Sequence, residues 1–242
     1  MQMSEQILFY LAQDVIRKDM VNKQPNSVAR DFEIENGVLK KYIGNDSAVV
    51  IPNGVTEIAE YAFDGCDSLK SIEIPVGVKS VDSSAFYYCD ALESITVARG
   101  NAVYHSNGNC LIETASKTLV LGCKNSIIPA DGSVKSIGEL AFSGCDLLTN
   151  IKIPNCVTKI GFMAFYCCVS LTNIELPDGL TDIGANAFEC CESLTDIKIP
   201  KGVTSIGDRA FWMCALLENI EIPENCALGY DCFPEHSKVI KA

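Results

Sequence analysis

Histidine is nearly missing from this 242-residue chain, which holds only His105 and His236, far apart in the sequence. A Ser-His-Asp or Cys-His nucleophilic site needs one of them beside a nucleophile, so a hydrolase fits poorly. Basic residues are also scarce, 19 against 31 acidic ones, for a formal net charge of −12. A surface this acidic repels phosphate backbones, which argues against a nucleic-acid partner. No apolar run approaches the ~20 residues a membrane-spanning helix requires. There is no glycine-rich phosphate loop. None of the 13 cysteines is spaced as Cys-x-x-Cys, so the usual zinc pattern is missing too. No metal and no cofactor is therefore expected.

What is present is a repeat. Ile/Leu-Pro pairs end at Pro52, Pro75, Pro129, Pro154, Pro177, Pro200 and Pro223, and most of the intervals equal the step from Pro154 to Pro177. Ala-Phe pairs end at Phe63, Phe86, Phe142, Phe165, Phe188 and Phe211, with the same dominant step. Each phenylalanine is followed at fixed spacing by a cysteine (Cys66, Cys89, Cys145, Cys168, Cys191, Cys214), then a leucine, then an isoleucine. A single turn of this length cannot bury its own apolar positions, whereas stacked turns share one core. The pattern predicts a solenoid. The Leu-x-x-Ile-x-Ile stretch, with Leu171, Ile174 and Leu176 inward, predicts a short strand ended by Pro177, and neighbouring turns predict a parallel sheet. The segment around Ala187–Phe188 predicts one short helical turn opposite, with its ring stacked on those of adjacent coils.

Together, the Ile-Pro, Val-Thr-x-Ile-Gly, Ala-Phe-x-x-Cys and Leu-x-x-Ile elements resemble the BspA-like leucine-rich repeats, roughly from Phe32 to Phe233. The resemblance implies an α/β solenoid, a right-handed horseshoe with a parallel sheet on one face and short helical turns opposite. It also implies a non-enzymatic role in protein–protein contact or adhesion, with a protein as ligand. Many members are secreted or displayed on microbial surfaces.

Departures from the period define the expected domain layout. Residues 1–25 predict a helix with Leu8, Leu11, Ala12, Val15 and Ile16 on one stripe. It is either a cap over the first coil or a face for homodimerisation, and solenoid ends favour the cap. Residues 26–242 form the solenoid. Within it, a β-hairpin insertion is expected at about 100–127, covering an edge and changing the curvature, or else protruding as a binding element. A degenerate cap is expected at about 224–242. The first residues carry no positive charge, and the apolar stretch Ile7–Ala12 is short for an export signal. The expectation is a cytoplasmic protein, or a surface or secreted one if a leader has been removed.

The period also assigns the cysteines. Six fill one inward position as a buried column of small apolar thiols. Cys167 and Cys190 are one period apart, on equivalent positions of adjacent coils, so a disulfide between them is geometrically conceivable. A reducing compartment argues against it. His105, Cys110 and Cys123 share the insertion but lack metal-ligand spacing.

Two surfaces are candidates for a partner. On the sheet, the outward position between the strand isoleucines reads Glu73, Thr96, Lys152, Glu175, Lys198 and Glu221, and a second column includes Asn150, Asn173, Asp196 and Asn219. This concave face is polar and its charges alternate. On the other side Tyr87, Tyr88, Tyr166, Trp212 and Met213 supply interface-type residues, spread over separated coils. The sheet columns are the expected site and the aromatic side the alternative.

Overall fold

The computed structural model describes residues 29–242. The expected helix at 1–25, and any dimer formed through it, lies outside the described residues.

Most coils contribute two short strands, and equivalent strands of neighbouring coils pair in parallel. In the first stack Ala48–Val50, Ser71–Ile74 and Ser94–Val97 pair, with Ile72 opposite Ile95. Later in the chain Asn150–Lys152 pairs with Asn173–Glu175, a bridge joins Lys198 to Glu221, and Asn219–Ile222 pairs with Lys238–Lys241. The second stack is built from the Val-Thr-x-Ile-Gly segment: Ser136–Ile137, Lys159–Ile160, Asp182–Ile183, Ser205–Ile206 and Ala227–Leu228. Sequence alone shows only an apolar pair there. A second sheet is the finding. The glycine after each of these strands permits the stacking, because a Cβ on Gly184 would lie 2.6 Å from the Gly161 backbone.

The third face is not helical, contrary to the expected α/β class. Among the described residues the helical element is a 3-10 turn, Ala29–Asp31. The Ala-Phe segments instead hydrogen-bond from coil to coil: the Phe165 N–H reaches the Ala187 carbonyl at 2.8 Å and the Phe188 N–H the Ala210 carbonyl at 2.7 Å. The reason is backbone geometry. Two residues before the phenylalanine the chain is left-handed (Met163 φ 51°, Asn186 55°, Arg209 52°), and two after it again (Cys167 55°, Cys190 60°, Met213 60°). No right-handed helix accommodates two such residues four apart, since each costs about 1–2 kcal/mol outside glycine. Bonds to the neighbouring coil offset that cost.

Inside, the phenylalanines stack. Ring centroids of Phe142, Phe165, Phe188 and Phe211 lie 5.0–5.1 Å apart and within 7° of parallel. That spacing is the strand spacing, so coil repetition imposes it. Phe233 continues the row at 5.6 Å. Tyr42, Phe63 and Phe86 form a separate row. The thiol column does more than fill space. Cys168 Sγ donates to the Phe142 carbonyl at 3.1 Å, Cys191 to Phe165 at 3.2 Å and Cys214 to Phe188 at 3.1 Å, and Cys89 does the same to Phe63. Cys66 and Cys145 are only partly buried. Each is the first cysteine of its block, following a coil that departs from the repeat, so the expected six buried thiols reduce to four.

The rows are separate because a three-stranded antiparallel meander divides the solenoid: Tyr104–Asn107, Cys110–Glu113 and Thr118–Leu121. Its last strand pairs in parallel with Ser136–Ile137 and so begins the second stack of the next block. The meander is buried on both faces. Cys110, Ile112 and Leu119 join the C-terminal core, while Leu111, Leu121 and Cys123 join the N-terminal one. It is a partition between cores. Gly122 occupies the rung position, its N–H bonded to the Ala141 carbonyl at 2.7 Å, and a Cβ there would stand 2.0 Å from the Phe142 ring.

Candidate functional site

Strand alternation turns Ile151, Ile174, Ile197 and Ile220 inward and therefore presents the residues after them to solvent. Lys152, Glu175, Lys198 and Glu221 stand exposed in one column, and Asn150, Asn173, Asp196 and Asn219 in another. Parallel register places Lys152 opposite Glu175, with Nζ and Oε2 3.2 Å apart and side chains 80% and 67% exposed. An ion pair so solvated contributes at most about 1 kcal/mol, so its charges remain available to a partner. Glu73, in the N-terminal block, is half-buried and stands beside Thr96 and Val50. The nine residues thus fall on one face, though most strongly in the C-terminal block.

The column is interrupted at the partition. Ser126–Ile128 take the place of a first-stack strand without pairing to Asn150–Lys152, and the two residues added after Pro129 hold them apart. An open groove of about 780 Å³ results, lined by Ile127, Ala130, Asn150, Lys152, Glu175 and Leu176 among others. Ile127 is 75% exposed at its rim. Sequence reasoning missed this feature; the lengthened interval from Pro129 to Pro154 was its only signal. Lys124 crosses the junction to Glu93 at 3.0 Å and holds that carboxyl below its ordinary range.

The aromatic alternative falls into two groups. Tyr87 packs on Tyr88 with centroids 4.3 Å apart and on Tyr61 at 6.4 Å. Burial, then the hydrogen bond with Tyr88, pushes the Tyr87 phenol up. Tyr166 hydrogen-bonds the Cys167 thiol and is pushed up to about 12 by that bond and by burial. Trp212 lies under the Arg209 guanidinium at 5.2 Å, and Met213 is 47% exposed. Tyr166 acts on the Tyr87 phenol, so these two and Tyr88 are neighbours, whereas Trp212 and Met213 belong to a coil two periods beyond Tyr166.

His105 Nδ1 contacts Thr114 Oγ1 at 2.9 Å, while Cys110 and Cys123 lie on either side of Ser126, whose Oγ is 3.7 Å from Cys123 Sγ. The cysteines are free thiols. Burial raises the ladder thiols, Cys214 to about 12, and Cys89, Cys168 and Cys191 are also raised, so none is an activated nucleophile.

A stacked parallel solenoid with an Ala-Phe-x-x-Cys turn and variable outward columns is the framework of a repeat-based interaction protein. The sequence matches the family described as BspA type Leucine rich repeat region, in six copies, over residues 33–111 and 117–240, and the chain belongs to that family. Among solved structures it is similar to a leucine rich cell surface protein from Faecalibacterium prausnitzii, at 30% identity and a TM-score of 0.62, over 81% of this chain and 59% of that one. It is also similar to the T. pallidum Leucine Rich Repeat protein, at 26% identity and a TM-score of 0.50, over 87% and 89% of the two chains. A leucine-rich repeat protein from Eubacterium ventriosum shares the fold, at 24% identity and a TM-score of 0.62, over 78% and 55%. The chain therefore spans less than two thirds of the Faecalibacterium and Eubacterium proteins. No curated protein matches it. Among the described residues no helix is long and apolar enough to cross a membrane.

Proposed function

We propose that this chain is a non-enzymatic protein-binding scaffold whose partner docks on the outward columns of the first sheet. One observation carries the reading: inward residues recur coil after coil, while the exposed columns change from Lys to Glu and from Asn to Asp. Only the outward positions can distinguish one partner from another. The contact residues are Glu73, Lys152, Glu175, Lys198 and Glu221 with Asn150, Asn173, Asp196 and Asn219, and the groove beside Lys152 supplies the apolar contact those columns lack. The dispersed histidines and raised thiols support the absence of catalysis.

The test begins with affinity capture from host lysate, then measures affinity for the captured protein. Reversing Lys152 and Lys198 together to Glu should weaken binding at least tenfold and change its salt dependence. Unchanged affinity in that double variant, with binding abolished by Trp212→Ala, places the contact on the aromatic side and defeats the proposal. A second reading, a cell-surface adhesin for a host matrix protein or glycan, is supported by the similarity to the Faecalibacterium cell surface protein. Antibody labelling of intact cells separates it from a cytoplasmic scaffold, since only the adhesin is labelled.

A further inference from the structure

The left-handed position two residues after each phenylalanine holds Gly65, Tyr88, Gly144, Cys167, Cys190 and Met213 in successive repeats. Three consecutive coils of the C-terminal block thus present sulfur from one backbone position. The backbones are locked together there: Cys167 N–H bonds the Glu189 carbonyl at 2.9 Å and Cys190 N–H the Trp212 carbonyl at 2.9 Å. With φ of 55°, 60° and 60°, the three side chains leave their coils alike and meet. Cys190 Sγ lies 3.8 Å from Met213 Sδ, and Cys167 holds the equivalent position one coil earlier, where its thiol acts on that of Cys190. Unlike the four buried ladder thiols, all three residues reach solvent.

We propose that Cys167, Cys190 and Met213 form a binding site for a soft monovalent d¹⁰ cation, cuprous copper being the natural class. Two thiolates and a thioether are the donor set such an ion selects, whereas zinc takes four ligands and uses no thioether. At ~2.3 Å metal–sulfur bonds, the Cys190–Met213 separation subtends an angle of about 110° at the ion, within reach of trigonal coordination. Met213 is flexible and exposed, so its arm adjusts the third bond. Binding one ion deprotonates both thiols, releases two protons to solvent and leaves every oxidation state unchanged.

Gly65 and Gly144 indicate the control variants, because glycine already occupies this position and suits its backbone. Fully reduced protein is titrated with Ag(I), which does not change redox state, and anaerobically with Cu(I) against a competing chelator. The expected result is one tight equivalent, release of two protons, and protection of Cys167 and Cys190 alone from alkylation in peptide mass mapping. Cys167→Gly/Cys190→Gly should lose that equivalent with an unchanged circular dichroism spectrum, and Met213→Leu should weaken it at least tenfold. Protection falling on other cysteines, or affinity unchanged in the double glycine variant, overturns the site.

Discussion

Phe188→Ala removes an interior rung from the C-terminal aromatic row. Its ring is fully buried, stacked 5.1 Å from Phe165 on one side and 5.1 Å from Phe211 on the other. Coil backbones joined at 2.7–2.9 Å by the Phe188, Cys190 and Asn186 N–H groups cannot collapse into the space, so the cavity stays. Removal of a buried phenylalanine that leaves its cavity costs about 3–5 kcal/mol, and the rigid surroundings place this case in the upper half. Phe233→Ala is the internal comparison, because that ring is half-buried and has one stacked neighbour, Phe211 at 5.6 Å. It should cost about half as much. Urea unfolding followed by the fluorescence of Trp212, the single tryptophan, reports on these coils directly. Circular dichroism followed in parallel shows whether the array loosens as a unit or splits at the missing rung. A loss below about 1 kcal/mol for Phe188→Ala, or equal losses at the two positions, would refute cooperative stacking as the source of core stability.

Three further outcomes are expected. Gly122→Ala should destabilise the protein by about 1–3 kcal/mol in urea melts, since the new methyl drives the Phe142 ring out of its row. A neutral effect would mean the partition is loosely packed. In native protein Cys89, Cys168, Cys191 and Cys214 should alkylate only as fast as the protein unfolds, with Cys156, Cys167 and Cys190 reacting sooner; uniform modification would contradict the thiol column. Asp90 carries a buried Oδ1 without a hydrogen-bond partner, and burial followed by the charge of Asp146 raises its carboxyl. A raised carboxyl costs stability above its folded pKa and none below the unfolded value near ~3.9. Asp90→Asn should therefore melt higher than the parent at pH 7, the gap closing below about pH 3, and a lower melting temperature at pH 7 would show that the charge is stabilising.

The repeat itself was legible because it is a local pattern copied at fixed spacing. Phe165, Cys168, Leu171 and Ile174 announce an inward stripe, and copying that stripe once per period leaves parallel in-register stacking as the way to bury it. The outward columns followed from the same alternation. Other features have no local signal. Met163, Asn186 and Arg209 share a left-handed backbone although their types do not demand one, because the bonds that sustain it come from the next coil. For that reason a turn that reads as helix in sequence is a rung between coils in the fold. The second sheet uses two-residue strands, too short for a periodicity to register. The insertion reads as an ordinary hairpin, yet its two faces feed two different cores, and only packing decides which way Leu111 and Ile112 turn. The sulfur row of Cys167, Cys190 and Met213 is likewise a product of stacking, since residues a full period apart in the chain become neighbours only when one coil lies upon the next.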